Sequence, residues 1–135
     1  MFELVEHTAD VGIRVTAGDL DTLFRDAAEG LLSLIVEPGA GSPGAELRFD
    51  LEGNRLDHLL FDWLNELLYT CDVRRLVLEN VEVKLAGTTL AGRARGRPID
   101  PARDRLGREV KAITYHRLKV EPTETGWLAE FIVDI

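Results

Sequence analysis

The residues of this 135-residue chain best suited to chemistry are carboxylates near its two ends. Asp10 closes the short segment His7-Thr8-Ala9-Asp10, and the sequence finishes in an apolar run, residues 127–135, with Asp134 next to last. A strand that ends on Ile135 puts a main-chain carboxylate one residue from the side chain of Asp134. If Asp10 meets them, three anionic oxygen groups share one spot, and a hard divalent cation is their natural neutraliser. Each part also has a plainer reading. An aspartate in a bend commonly caps backbone amides, a final isoleucine packs, and a terminal carboxylate is solvated. Spacing by itself does not bring the two ends together.

A second group of candidates lies in VKAITYH at residues 110–116. Lys111, Tyr115 and His116 are proton-transfer residue types. Strand alternation sends Lys111 and Tyr115 to the face opposite His116, so the three cannot point into one site. His58 falls in the first turns of an expected helix and reads as a surface or boundary residue. Cys71 is the one cysteine, which excludes an internal disulfide, and it falls on an apolar helix face. The chain has no GxxxxGK loop, GxSxG elbow, HExxH or helix-opening GxGxxG.

These residues are carried by elements that the hydrophobic pattern makes readable. Val11, Ile13 and Val15 alternate with Gly12, Arg14 and Thr16 as in a strand, preceded by a strand over residues 2–6. Leu20, Leu23, Phe24, Ala27, Ala28, Leu31 and Leu34 form one stripe of a helix capped by Asp19 or Asp21. A Gly/Pro-rich connector follows at residues 38–44, then a strand containing Leu47, Phe49 and Leu51. Asn54 is the expected cap of a second helix, whose stripe runs from Leu56 through Trp63 to Cys71, with Asp57 near its amino end. Strands are expected at residues 76–78, 81–85, 90–94, 110–120 and 127–135, with a long loop around residues 97–107. Two helices followed by mostly antiparallel strands give an α+β two-layer domain, and the length suits one domain over residues 1–135.

The net charge of −8 disfavours broad adhesion to nucleic acid or anionic membrane. The charge is uneven, because seven basic and three acidic residues fall between Arg93 and Lys111. Such a stretch suits RNA phosphate or an acidic partner surface; a solvated hairpin face is the blander alternative. No signal segment or membrane span is evident, so a soluble cytoplasmic protein is expected.

Taken together, the segments resemble the archease family, small proteins that activate the tRNA-splicing RNA ligase of the RtcB type. The resemblance runs nearly end to end. It comprises HTADVGI at residues 7–13, LFRDAAEGL at 23–31, LLFDWLNELLY at 59–69, GRPID at 96–100, VKAITYH at 110–116 and VDI at 133–135. It implies an accessory protein that is not itself a ligase or other enzyme. Such a protein promotes guanylylation of its partner, sustains multiple turnover in tRNA splicing and RNA repair, and broadens nucleotide use. RNA is then met indirectly, through the ligase. The resemblance further implies a divalent metal, seen as calcium in the family, between Asp10, Asp134 and Ile135; magnesium and manganese suit the same hard oxygen ligands. A family histidine in the loop after Asp100 has Asp104 as its nearest counterpart here, and no role carries over to it. A monomer suits a factor that cycles on and off an enzyme. Two competing readings are a general chaperone and a small metal-dependent hydrolase acting through the carboxylates.

Overall fold

The computed structural model describes residues 1–6, 9–41 and 43–135. The alternation at the start becomes an antiparallel pair, β1 (Phe2–Glu6) with β2 (Asp10–Ala17). Asp19 caps α1 (Leu20–Ile35): its carboxylate accepts the Thr22 N–H at 2.8 Å, satisfying one of the free amides of the first turn. The two-residue β3 (Val36–Glu37) follows, then β4 (Ala45–Glu52). The cap of α2 (Leu56–Val73) is Arg55, one residue beyond the expected Asn54, and its side chain makes no capping bond. The acidic first-turn residue supplies the compensation instead, since the Asp57 carboxylate accepts the His58 N–H at 2.8 Å and holds Arg55 at 2.9 Å.

Expected strands at 76–78 and 81–85 are one element, β5 (Leu76–Ala86), carried through a bulge at Asn80, where φ is +55°. It pairs with β6 (Thr89–Pro98), and the short β7 (Arg105–Leu106) closes against β3. Two long strands complete the chain, β8 (Ala112–Thr123) and β9 (Gly126–Asp134).

The α+β class holds, with a refinement in the sheets. The antiparallel strands form a four-stranded sheet of order β1-β2-β9-β8, a three-stranded sheet of order β4-β6-β5, and the small β3-β7 pair. One continuous core collects the inner faces of both main sheets and the stripes of both helices. Trp63 lies at its centre, fully buried, its indole N–H donated to the Phe24 carbonyl at 3.1 Å and its ring edge-on to Phe49 at 5.5 Å. Gly92 makes room for it: a Cβ there would fall 2.7 Å from the Trp63 ring.

In the four-stranded sheet, Val11, Ile13, Val15, Ala129, Phe131 and Val133 are buried against the helices. The opposite face carries Val5, Asp10, Gly12, Arg14, Ile132 and Asp134, all exposed or half-buried. Period-two alternation therefore delivers both aspartates to the same, solvent-facing side.

Candidate functional site

The register of β2 against β9 sets Asp10 directly opposite Asp134. Two main-chain bonds define the kind of step. The Ile135 N–H donates to the Ala9 carbonyl at 3.2 Å, and the Asp134 carbonyl turns away toward β8, accepting the Lys111 N–H at 2.8 Å. Asp10 and Asp134 thus occupy a non-hydrogen-bonded step of the antiparallel ladder, where opposed side chains approach most closely, with Cβ atoms about 4.5–5.5 Å apart.

Two like charges at such a step repel, and neither aspartate has an ion pair with a described residue. Asp10 Oδ1 is buried and has no hydrogen-bond partner among the described residues. A buried, unpaired carboxylate oxygen is expensive, because it has lost water and gained nothing. Ile135 is half-buried and packs its side chain on the core, and its main chain follows directly on Asp134. This donor set is hard and anionic, and it fits a calcium, magnesium or manganese ion. Among the described residues, no group of three His, Cys, Asp or Glu side chains gathers anywhere. His7 and Thr8, the first half of the amino-terminal motif, lie outside the described residues.

The residues 110–116 do not follow the expected simple strand. β8 starts at Ala112, and its ladder to β9 breaks after Thr114, resuming at Lys119; residues 115–118 stand opposite Phe131 alone. Arg117 takes φ +56° within this bulge. Tyr115 is turned onto α2, stacked on Phe61 at 3.9 Å with His58 edge-on at 6.0 Å. His116 is exposed. Lys111 adjoins the carboxylate pair through its main chain, and its side chain is exposed.

The basic stretch is largely neutralised by the chain itself. Arg93 pairs with Glu46 and Glu82, Arg103 with Asp100, Arg105 with Glu37 and Arg108 with Glu6. The solvated-face reading is therefore the one the ion pairs favour. Arg97 instead reaches a buried centre. The Asp104 carboxylate accepts Arg97 Nη1 and Nη2 at 2.8 and 2.6 Å, the Gly39 N–H at 2.7 Å and the Asp100 N–H at 2.8 Å. The Arg97 guanidinium, then these amides, hold its carboxyl far below the usual carboxylate range. Asp104 is a clamp joining the connector after α1 to the loop before β7. Sequence reading assigned it nothing; the signal available was an Arg and an Asp at the two ends of a proline-bounded loop.

Cys71 is buried, as expected, and burial, with Asp72 nearby, pushes its thiol up to about 12. That rules against a thiolate nucleophile at neutral pH. Among the described residues, no helix is long and apolar enough to cross a membrane.

Comparison with known proteins follows the same outline. Residues 2–135 match the model of the Archease protein family (MTH1598/TM1083). The Protein archease of Methanopyrus kandleri is 39% identical over 138 residues, covering 99% of both chains. That of Pyrococcus furiosus is 37% identical over 139 residues, covering 99% of this chain and 98% of its own. The solution structure of Methanobacterium thermoautotrophicum Protein 1598 superposes with a TM-score of 0.81 at 27% identity, covering 99% of this chain and 98% of that one. A crystal structure from Thermotoga maritima, described as an archease and possible chaperone, shares the fold with a TM-score of 0.68 at 22% identity, over 100% and 98% of the two chains. Matched from end to end in sequence and in fold, this chain belongs to the archease family.

Proposed function

We propose that this archease is an accessory protein, not a catalyst, that activates an RNA ligase of the RtcB type by promoting its guanylylation and sustaining multiple turnover. The observation that carries the reading is the Asp10–Asp134 step with its buried Asp10 Oδ1, which has no partner among the described residues. Asp10, Asp134 and the main-chain oxygen of Ile135 would hold a divalent cation. When bound, the cation supplies positive charge at an otherwise anionic surface. Two carboxylates and one main-chain oxygen do not complete the six to eight oxygens that calcium takes, or the octahedron of magnesium. The remaining positions fall to water or to a partner, which suits a docking site better than a closed structural one.

The residues around the pair orient and do not react. β9 fixes Asp134 through the Lys111 N–H, and β2 fixes Asp10 one residue from the Ala9–Ile135 bond. The one thiol, Cys71, is buried and protonated at neutral pH. The ligase would carry the bond-forming chemistry, the RNA would be contacted through it, and a monomeric cytoplasmic factor suits that cycle.

RNA joining under multiple-turnover conditions tests the reading, using the cognate ligase, GTP and manganese with and without this protein. Conversion of a stalled turnover into sustained joining is expected, and Asp134→Ala should return the rate to that of ligase alone. Equal joining with and without the protein, by a ligase shown to be competent, overturns the proposal.

A further inference from the structure

Each main sheet has two edge strands, β1 and β8 in the larger and β4 and β5 in the smaller. An edge offers a row of main-chain N–H and C=O groups to any second strand, and folds usually blunt it. Three of these four are blunted. β1 has only five residues. β8 carries Pro122 and the bulge at Arg117. β5 carries the bulge at Asn80, and its Leu85 N–H is donated to the Asp21 carboxylate at 2.8 Å. β4 has none of these devices. Its eight residues keep unbroken register with β6, and AELRFDLE contains no proline and no inward-pointing charge.

The phase of the hydrogen bonds fixes what this edge presents. The Gly53 N–H donates to the Thr88 carbonyl at 3.0 Å, directly beyond the Glu52–Thr89 pair. Bonded and non-bonded pairs alternate in an antiparallel ladder. Leu47, Phe49 and Leu51 therefore turn their main-chain groups to β6, and those of Glu46, Arg48, Asp50 and Glu52 point outward. The side chains of these four lie on the solvent face, while Leu47 and Leu51 are half-buried at the margin of the core. Their charges find little use within the chain. Arg48 stands opposite Arg93, a like charge, and among the described residues holds only Glu46, at 3.7 Å. Neither Asp50 nor Glu52 has an ion pair with a described residue.

The segment Leu47-Arg48-Phe49-Asp50-Leu51 is complementary to its own reverse. We propose that β4 pairs antiparallel with β4 of a second copy of this chain, about a two-fold axis at Phe49, joining two three-stranded sheets into one. Arg48 and Asp50 then face Asp50 and Arg48 of the second copy, in the steps whose main-chain groups point outward. On the inner face Leu47 meets Leu51 of the second copy, and the two Phe49 residues meet at the axis, in the steps where opposed side chains approach most closely. Glu52 of the second copy lies diagonal to Arg48 and within its reach. Glu46 faces Glu52 at either end, the one unfavourable contact, and keeps Arg93 beside it at 3.4 Å. Sliding one strand by two residues either way moves the axis to Arg48 or Asp50 and opposes like charges, so the register is specified. Such a two-fold interface is closed and adds no third copy. A single strand pair falls in the class below roughly 1,200 Å² that associates weakly and reversibly. The dilute protein is thus a monomer, and the Asp10–Asp134 step, on the other main sheet, stays open in both forms.

Sedimentation equilibrium of the full-length protein, from about 5 μM to about 1 mM, tests the pairing. A reversible monomer–dimer equilibrium with a dissociation constant of roughly 0.1 mM is expected. Arg48→Asp and Asp50→Arg, both at exposed positions, should each weaken association about tenfold or more, since every dimer contains the contact twice. The double variant exchanges the two charges and should restore it. Asp50→Pro removes an outward N–H, a change that edge strands tolerate, and should abolish association; it decides the matter if a charge variant melts early. A protein still monomeric at about 1 mM overturns the proposal and leaves this edge to a strand of a different protein. A dimer indifferent to the single substitutions, or one that the double variant does not restore, places the interface or its register elsewhere and overturns it too.

Discussion

Two sets of aspartates in this molecule meet opposite surroundings. Asp104 has a side chain with 0% exposure and takes four hydrogen bonds, two of them from Arg97. Asp10 and Asp134 face each other across a sheet, and among the described residues they have no cation and one buried Asp10 oxygen has no donor. The same carboxylate is consumed by the fold in one place and left with free acceptor capacity in the other. A buried polar group that is fully satisfied argues for architecture; one left unsatisfied, where every other described buried side-chain oxygen and nitrogen has a partner, argues for something arriving from outside. Residue type does not separate these cases. Count of donors does.

If that contrast is right, removing the clamp should produce the largest change in stability. Asp104→Ala leaves the half-buried Arg97 guanidinium with only the longer contacts to Glu79 and the Gly39 carbonyl, both at 3.5 Å, and frees the Gly39 and Asp100 amides at once. The variant should show the greatest fall in Tm of any single aspartate substitution here, while folded molecules keep whatever activating capacity they have. A clamp variant that melts like the wild type would erase the distinction between the two sets. Acid sharpens the same point. The folded Asp104 carboxyl titrates below its unfolded value, so the unfolded chain binds the extra proton and stability rises with pH across that range. The contribution is complete above the ordinary carboxylate value of about 3.9 and disappears as pH falls through the depressed one. Asp100 titrates low too, through the Ala102 N–H and then Arg103, and adds in the same direction. Acid unfolding followed by circular dichroism should therefore steepen below about pH 4, and Asp104→Asn should flatten that limb.

Much of this contrast could be read from sequence on one side only. The alternation of Val11, Ile13 and Val15 already put Asp10 on the outward face of its strand, and Phe131 and Val133 did the same for Asp134. That the two strands are neighbours in matching register depends on long-range pairing, which local pattern does not encode; only the family resemblance joined them. The Asp104 clamp was missed because its partners come from Gly39, Arg97 and Asp100, segments that look like independent loops. Asn54 looked like a cap by residue type, but the chain enters α2 one residue later, at Arg55. Asn80 and Arg117 hid two bulges, since a non-glycine residue at positive φ carries no compositional warning. Both bulges change pairing while leaving the apolar pattern on each side intact, which is why the strands were legible and their continuity was not.

The open pair should respond to a ligand that leaves the clamp indifferent. Calcium at about 100 times its dissociation constant should stabilise the protein by roughly 2.7 kcal/mol if it binds only the folded chain. The gain should vanish in Asp134→Asn and persist in Arg103→Ala, where an exposed ion pair on the far loop is lost. Calorimetry on the same three proteins separates binding from nonspecific salt effects. An equal rise of Tm in Asp134→Asn would place any calcium site elsewhere.

The smallest effect is also the most diagnostic, because its sign differs between the two regions. In the absence of divalent cations, neutralising one partner of the Asp10–Asp134 step removes a like-charge opposition without breaking any ion pair. Asp134→Asn should then leave stability unchanged or raise it by about 0.2–1 kcal/mol, the range of a cross-strand pair. Asp134 is exposed, so its amide is hydrated and carries little desolvation cost. Denaturant unfolding with a chelator present measures the difference directly, and added salt should shrink it by screening the repulsion. A clear loss of stability in chelator would mean that Asp134 already has a partner within the chain, and the two sets of aspartates would differ in location alone.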